Sequence, residues 1–169
     1  FYEDGVANRL KILPPDVNAS EYRFVPVDRG TLRYGLGAVR GTGESAIAAL
    51  LQARRAGRFE SLSDFCRRID KRIVNRRVVE ALVRAGAFDG IDANRARLLA
   101  SVGRALEAAE QAEREAGQDS LFAEAEAPRG GEHVLVEAAP WSLGQTLLEE
   151  KAALGFYLSG HLFAVYERQ

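Results

Sequence analysis

Four glycines fall within nine residues, Gly35 to Gly43, and the last two frame the turn Arg40-Gly41-Thr42-Gly43-Glu44. Two glycines so close together bend the backbone into conformations closed to other residues. An amphipathic pattern starts directly after them. Ile47, Leu50 and Leu51 share one face, and Ala46, Ala49 and Ala53 permit close packing. The layout is a short helix from Leu36, a small-residue turn, then a longer helix over 44–56. The glycines leave amides bare at the positive end of that helix, where a phosphate is favoured, and Arg40 adds charge. Such contacts hold a nucleic-acid backbone without reading bases. A tight helix connection needing only positive φ has the same signature, so both readings stand on this motif. A dinucleotide fingerprint fails, because after Gly35 and Gly37 a third glycine is due at position 40, which is Arg40.

The remaining punctuation divides the chain further. Residues 9–13 alternate in character and stop at Pro14-Pro15, predicting a short strand. Residues 22–27 and 31–34 flank Asp28-Arg29-Gly30, a hairpin signal. Gly57 ends the helix begun at 44. Ser61-Leu62-Ser63-Asp64 reads as a capping box opening a helix with Phe65, Cys66 and Ile69, with Asp64 and Asp70 on different faces of it. Asn75 caps the next helix, with Val78, Val79, Leu82 and Val83 inward and Gly86 after its end. A longer helix is expected from about Ala93 to Glu115, with Leu98, Leu99, Val102 and Leu106 on one stripe. Residues 107–133 then carry almost no large apolar groups except Leu121 and Phe122, so their latter part reads as a mobile linker. Order is expected to resume near Pro140-Trp141, with Ser142 capping a helix through Leu154.

The formal net charge of −1 conceals an asymmetry. Residues 54–104 carry 13 basic and 6 acidic groups, and residues 105–169 carry 4 basic and 12 acidic ones. A basic middle with an acidic tail fits a nucleic-acid-binding module joined to a solvated linker, and equally fits helices with solvated arginine faces. Asp70-Lys71-Arg72-Ile73-Val74-Asn75-Arg76-Arg77 concentrates this charge before and at a helix start. It reads as a second, glycine-free turn related to the first. Arg76 and Arg77 in the first helical turn oppose the helix dipole unless an anion bridges them. The alternative is a solvated basic turn.

Other classes find little support. With 169 residues, 47% of them hydrophobic, the chain can bury a core, and no run of 18 apolar residues suggests a membrane span. The start lacks a secretory pattern and an initiator Met and reads as the middle of a longer chain. One cysteine, Cys66, fits a reducing cytoplasm. With two distant histidines, His133 and His161, it makes a zinc site improbable. No catalytic triad, Walker loop or metal-ligand spacing is visible, so no catalytic or metal-binding residue is expected here.

Several stretches, taken in order, resemble the alpha-subunit family of bacterial replicative DNA polymerase III, a C-family polymerase. They are Ile12-Leu13-Pro14-Pro15-Asp16-Val17-Asn18, Arg33-Tyr34-Gly35-Leu36-Gly37-Ala38-Val39-Arg40-Gly41-Thr42-Gly43-Glu44, Ser61-Leu62-Ser63-Asp64-Phe65-Cys66, Asn75-Arg76-Arg77-Val78, Ala85-Gly86-Ala87-Phe88-Asp89 and Leu154-Gly155-Phe156-Tyr157-Leu158-Ser159-Gly160-His161. The resemblance implies a fragment. Residues 1–34 would be the end of the fingers region, and 35–106 a tandem helix-hairpin-helix domain holding double-stranded DNA behind the active site. Residues 107–139 would be the end of the long helix and an acidic linker with a clamp-binding peptide, and 140–169 the helical lead-in to an oligonucleotide-binding domain.

Within that family Gln118-Asp119-Ser120-Leu121-Phe122 looks like the internal sliding-clamp-binding peptide, with Gln118, Leu121 and Phe122 as its contacts. The family's magnesium-holding palm carboxylates have no counterpart in this chain, so no cofactor is expected in the fragment. Other replicase subunits are implied as partners of the parent, and the error-prone paralogue is a neighbouring possibility. Two departures stand out: Thr42 where the family often has Val, and Leu162 where Pro is usual.

The expectation is therefore a mainly α fold: a short N-terminal β-hairpin, a tandem helix-hairpin-helix bundle, a flexible linker and C-terminal helices. Its phosphate-binding residues would be Arg40, Gly41, Thr42, Gly43, Glu44 and Ser45 at the first turn and Arg72, Asn75, Arg76 and Arg77 at the second. A helical protein-interaction module that ignores DNA is the main rival.

Overall fold

The computed structural model describes residues 10–119 and 135–160. It is mainly helical, with a small sheet leading into the helices. The sheet holds β1 (Lys11–Leu13), β2 (Val25–Asp28) and β3 (Thr31–Arg33). The expected hairpin is there: β2 and β3 pair antiparallel, and the Asp28 side chain turns the chain by accepting from the Gly30 amide at 2.8 Å. β1 lies parallel to β3, with Lys11 opposite Thr31, which puts β3 in the middle.

A 3-10 turn over Leu36–Ala38 leads to α1 (Glu44–Arg54), α2 (Leu62–Arg68), α3 (Arg76–Arg84), α4 (Arg95–Asp119) and α5 (Leu143–Leu154). Local chemistry sets three of the starts. Ser61 accepts from the Asp64 amide, Asn75 from the Val78 amide and Ser142 from the Gln145 amide. Each cap satisfies a donor that has no partner within its helix. Asp64 returns its carboxylate to the Glu60 amide, one residue earlier than a capping box would. Asp70 lies beyond the end of α2, so Asp64 and Asp70 do not share a helix as expected. α4 begins two residues later than expected and runs on to Asp119.

One core joins these elements. Ile47 and Leu50 of α1, Phe65 and Cys66 of α2, Val79 and Leu82 of α3, and Leu98 and Val102 of α4 are buried together. Phe59, Phe65 and Phe88 stack edge to face, with centroids 4.8 and 5.0 Å apart. The segment before the helices is tied in by polar contacts. Asn18 and Phe59 exchange two hydrogen bonds, of 2.7 and 2.9 Å, and Arg54 donates to the Ser20 carbonyl at 2.6 Å.

The region expected as linker to 139 is partly structured. The Val136 amide donates to Ser101 Oγ at 2.8 Å, and Asn94 Nδ2 donates to the Ala138 carbonyl at 2.9 Å. A second apolar cluster, formed by Tyr34, Val39, Ala85, Ala153 and Leu154, seats α5 against the 3-10 turn and α3. The clamp-like residues Leu121 and Phe122, together with His133 and His161, lie outside the described residues.

Candidate nucleic-acid interface

The four clustered glycines do two different jobs. A Cβ at Gly35 would fall 2.5 Å from the Arg23 backbone, and one at Gly37 would fall 2.5 Å from the Tyr22 ring. Those two glycines admit the segment between β1 and β2. Gly41 and Gly43 have φ of +83° and +74°, and a Cβ on either meets nothing within 4 Å. Their space is open, so an external group can approach the main chain there.

Thr42 closes this turn from beneath. It is 4% exposed, and its hydroxyl donates to the Val39 carbonyl at 2.8 Å and the Leu36 carbonyl at 3.3 Å. The hydroxyl is therefore committed inward, leaving only the Thr42 main chain for an outside partner. α1 follows with Gly43 as its N-cap, and no side chain caps it. The amides of Glu44 and Ser45 lack intrahelical acceptors by helix geometry, and both residues are exposed. These donors at the positive helix end suit an anion. The Glu44 carboxylate occupies the same first turn and competes with any incoming anion.

The second turn repeats the first in burial. Residues 42, 46, 47 and 50 are buried while 40, 41, 43, 44 and 45 are exposed. Thirty-two positions later, 74, 78, 79 and 82 are buried while 72, 73, 75, 76 and 77 are exposed. Thr42 thus corresponds to Val74, Gly41 to Ile73, Gly43 to Asn75, Glu44 to Arg76 and Ser45 to Arg77.

The chemistry on this shared frame differs. Asn75 caps α3 with its own side chain at 3.2 Å, so one first-turn amide is already satisfied. Arg72 folds back on Asp70, with Nε–Oδ1 at 3.1 Å and Nη2–Oδ2 at 2.9 Å, and its side chain is 90% exposed. The hydrogen bond from Arg72 holds the Asp70 carboxyl below the usual range. Arg76 Nε meets Glu80 Oε1 at 2.7 Å. That carboxylate, one turn along α3, relieves the dipole conflict that the sequence assigned to an external anion. Lys71 is tied to Glu113 of α4 and donates to the Cys66 carbonyl at 3.4 Å, which makes it structural. Arg77 is exposed and has no carboxylate partner among the described residues. A groove of about 290 Å³ runs between this turn and α4, lined by Asn75, Arg76, Gly103 and Glu107.

Arg40 likewise has no acidic partner among the described residues. Beside it burial pushes the Tyr34 phenol up, and the Arg40 charge opposes that shift. Gln118 lies in the last turn of α4, and the rest of the clamp-like peptide lies beyond the described residues. No group of three His, Cys, Asp or Glu among the described residues is placed to hold a metal ion.

One cluster was invisible in the sequence. Arg95, 8% exposed, meets Asp89 at 2.6 and 2.8 Å and the fully buried Glu150 at 3.0 Å. Glu150 also accepts from the Leu158 and Ser159 amides at 2.9 and 2.8 Å. Burial works against the Arg95 charge, but Asp89 and then Glu150 more than offset it and raise its pKa.

Two helix–turn–helix units on one core, alike in burial and both exposing groups suited to anions, define a helix-hairpin-helix protein. The chain belongs to that family, whose motif matches residues 9–98. Beyond the motif, the whole chain aligns with DNA polymerase III subunit alpha of Neisseria meningitidis serogroup B, 47% identical over 171 residues. The subunits of the same name from Escherichia coli K12 and Vibrio cholerae are 43% and 44% identical over 95% and 90% of the chain. The chain spans only about 15% of the length of these relatives.

Proposed function

We propose that this chain grips double-stranded DNA by its phosphates, without regard to sequence, as part of a replicative DNA-directed DNA polymerase working in the cytoplasm. The observation that carries the proposal is the repeated turn. Two frames with the same buried positions offer open glycine main chain at 40–45 and exposed guanidinium groups at 72–77. Arg40, Gly41, Thr42, Gly43, Glu44 and Ser45 serve the first grip, with Thr42 and Glu44 contributing main chain only. Arg72, Asn75, Arg76 and Arg77 serve the second. Similarity to polymerase subunits supports a replicative setting. Nucleotidyl transfer, with its magnesium, would reside elsewhere in the parent protein.

A titration of labelled duplex tests this. Each phosphate neutralised contributes about −0.9 to the slope of log affinity against log salt. Grips at both turns require a slope of roughly −2 or steeper, and a flat response would refute them. The ion pairs of Arg72 and Arg76 favour a second reading, a protein-interaction module with self-compensated turns. Arg76→Ala with Arg77→Ala separates the two readings, because only the DNA grip loses duplex affinity.

We also propose that Gln118, Leu121 and Phe122 tether the parent to a sliding clamp among its other replicase partners. The support is sequence pattern: two large apolar side chains in a polar stretch. Each such group is worth about 1.5–3 kcal/mol when buried. Changing Leu121 and Phe122 to Ala must therefore weaken clamp binding, and unchanged affinity refutes the tether.

A further inference from the structure

Arg40 rests with both its main chain and its side chain on the C-terminal end of α5. Its amide donates to the Ala153 carbonyl at 2.8 Å. Its guanidinium lies over Gly155, where an added Cβ would fall 2.8 Å from Nη2 and 3.3 Å from Cζ. Gly155 closes α5 in the left-handed region at φ +88°, with its amide donating to the Lys151 carbonyl at 2.9 Å. Glycine is thus required twice at this position, by the backbone angle and by the guanidinium above it.

The last carbonyls of a helix carry partial negative charge. A cation beside them is favoured without being neutralised as a carboxylate would neutralise it. The seat itself is firm: Tyr34, Val39, Ala153 and Leu154 are buried together, and Phe156 lies against Tyr34 with centroids 5.7 Å apart. Arg72, the counterpart of Arg40 in the second turn, is instead oriented by the Asp70 carboxylate.

We infer that the C-terminal end of α5, closed by Gly155, is a positioning platform for Arg40. It sets where that guanidinium meets a DNA phosphate and leaves it without a carboxylate partner among the described residues. The inference rests on the DNA-binding reading and adds α5, distant in sequence, to the first grip.

Duplex affinity of this chain should be measured at two salt concentrations for the wild type, Arg40→Ala, Gly155→Ala and the double variant. Gly155→Ala should weaken binding by the same factor as Arg40→Ala, on the order of tenfold for one charge-assisted contact. It should also flatten the salt slope by about 0.9. The double variant should bind no more weakly than either single one. Gly57→Ala is the control for backbone strain, with φ of +132° and nothing within 4 Å of its Cβ, and should leave binding intact.

If Arg40→Ala weakens binding while Gly155→Ala does not, or if the two losses multiply, the platform is refuted and the grip stands. If Arg40→Ala changes nothing, the DNA reading of the first turn falls and the platform with it. Should Gly155→Ala not fold, the native chain suffices. The Gly155 amide resonance should shift when duplex is added to the wild type and stay fixed in Arg40→Ala, and a resonance indifferent to duplex in the wild type overturns the inference.

Discussion

Glu150→Ala should be the most destabilising single truncation outside the aromatic core. The side chain is fully buried and accepts from Arg95, from the Leu158 and Ser159 amides, and from the Ser159 hydroxyl. Removing one partner of a buried ion pair costs about 3–5 kcal/mol, mostly because the other charge is left uncompensated. Here Arg95 keeps Asp89 at 2.6 Å, which places the loss near the lower end, about 3 kcal/mol. For a chain of this size each kcal/mol lowers the melting temperature by about 2–4 °C, so a fall of roughly 6–12 °C follows.

Urea unfolding and calorimetry of the same chain measure the loss directly. Arg95→Met with Glu150→Leu should cost less than the two single changes added together, since neither partner is then left charged and alone. A Glu150→Ala chain within about 0.5 kcal/mol of the wild type would show that α5 is not docked through this carboxylate. The platform inferred for Arg40 would lose its foundation as well.

Three further outcomes follow from single residues. Thr42→Val keeps the shape but removes the hydroxyl's bonds to Val39 and Leu36. It should cost about 1 kcal/mol in urea unfolding and leave duplex affinity unchanged, whereas a marked affinity loss would mean the hydroxyl faces outward. Glu44→Gln removes the anion in the first turn of α1 and should tighten duplex binding roughly twofold to fivefold at low salt; weaker binding would refute an anion site there. Burial pushes the Cys66 thiol up to about 12, with the Lys71 charge only partly opposing it. At mildly alkaline pH almost no thiolate forms, so labelling by a disulfide reagent should wait for unfolding, and rapid labelling of the native chain would contradict its burial.

What the sequence revealed was local. Ser61, Asn75 and Ser142 announced their helices because a cap acts over three residues, and Asp28-Arg29-Gly30 announced its hairpin for the same reason. The parallel pairing of β1 with β3 spans about twenty residues, and no short pattern encodes it. Glu150 sits among Glu149 and Lys151 and reads as one more solvated charge. Its partner Arg95 is 55 positions away, so its burial is a property of the assembled fold. Gly35 and Gly37 stand beside the phosphate turn in the sequence, yet they serve Tyr22 and Arg23, because glycine content does not say on which side the close approach occurs. The dipole conflict at Arg76 was legible, but its relief was not, although Glu80 stands at the i+4 position that makes such a pair.

That relief bears on how the two grips would divide the work. At the first turn the donors are main-chain amides and an arginine with no carboxylate partner among the described residues, so a phosphate adds contacts without breaking any of those described. At the second turn Arg72 and Arg76 must exchange Asp70 and Glu80 for the phosphate, whereas Arg77 has no ion pair among the described residues. Both existing pairs are solvent-exposed, so salt and water already loosen them and the exchange is easy. It still reduces the net gain, because each arginine gives up one anion to take another. Arg77→Ala should therefore weaken duplex binding more than Arg72→Ala, even though Arg72 is the residue aligned with Arg40. Equal losses would mean that internal pairing does not govern the second grip.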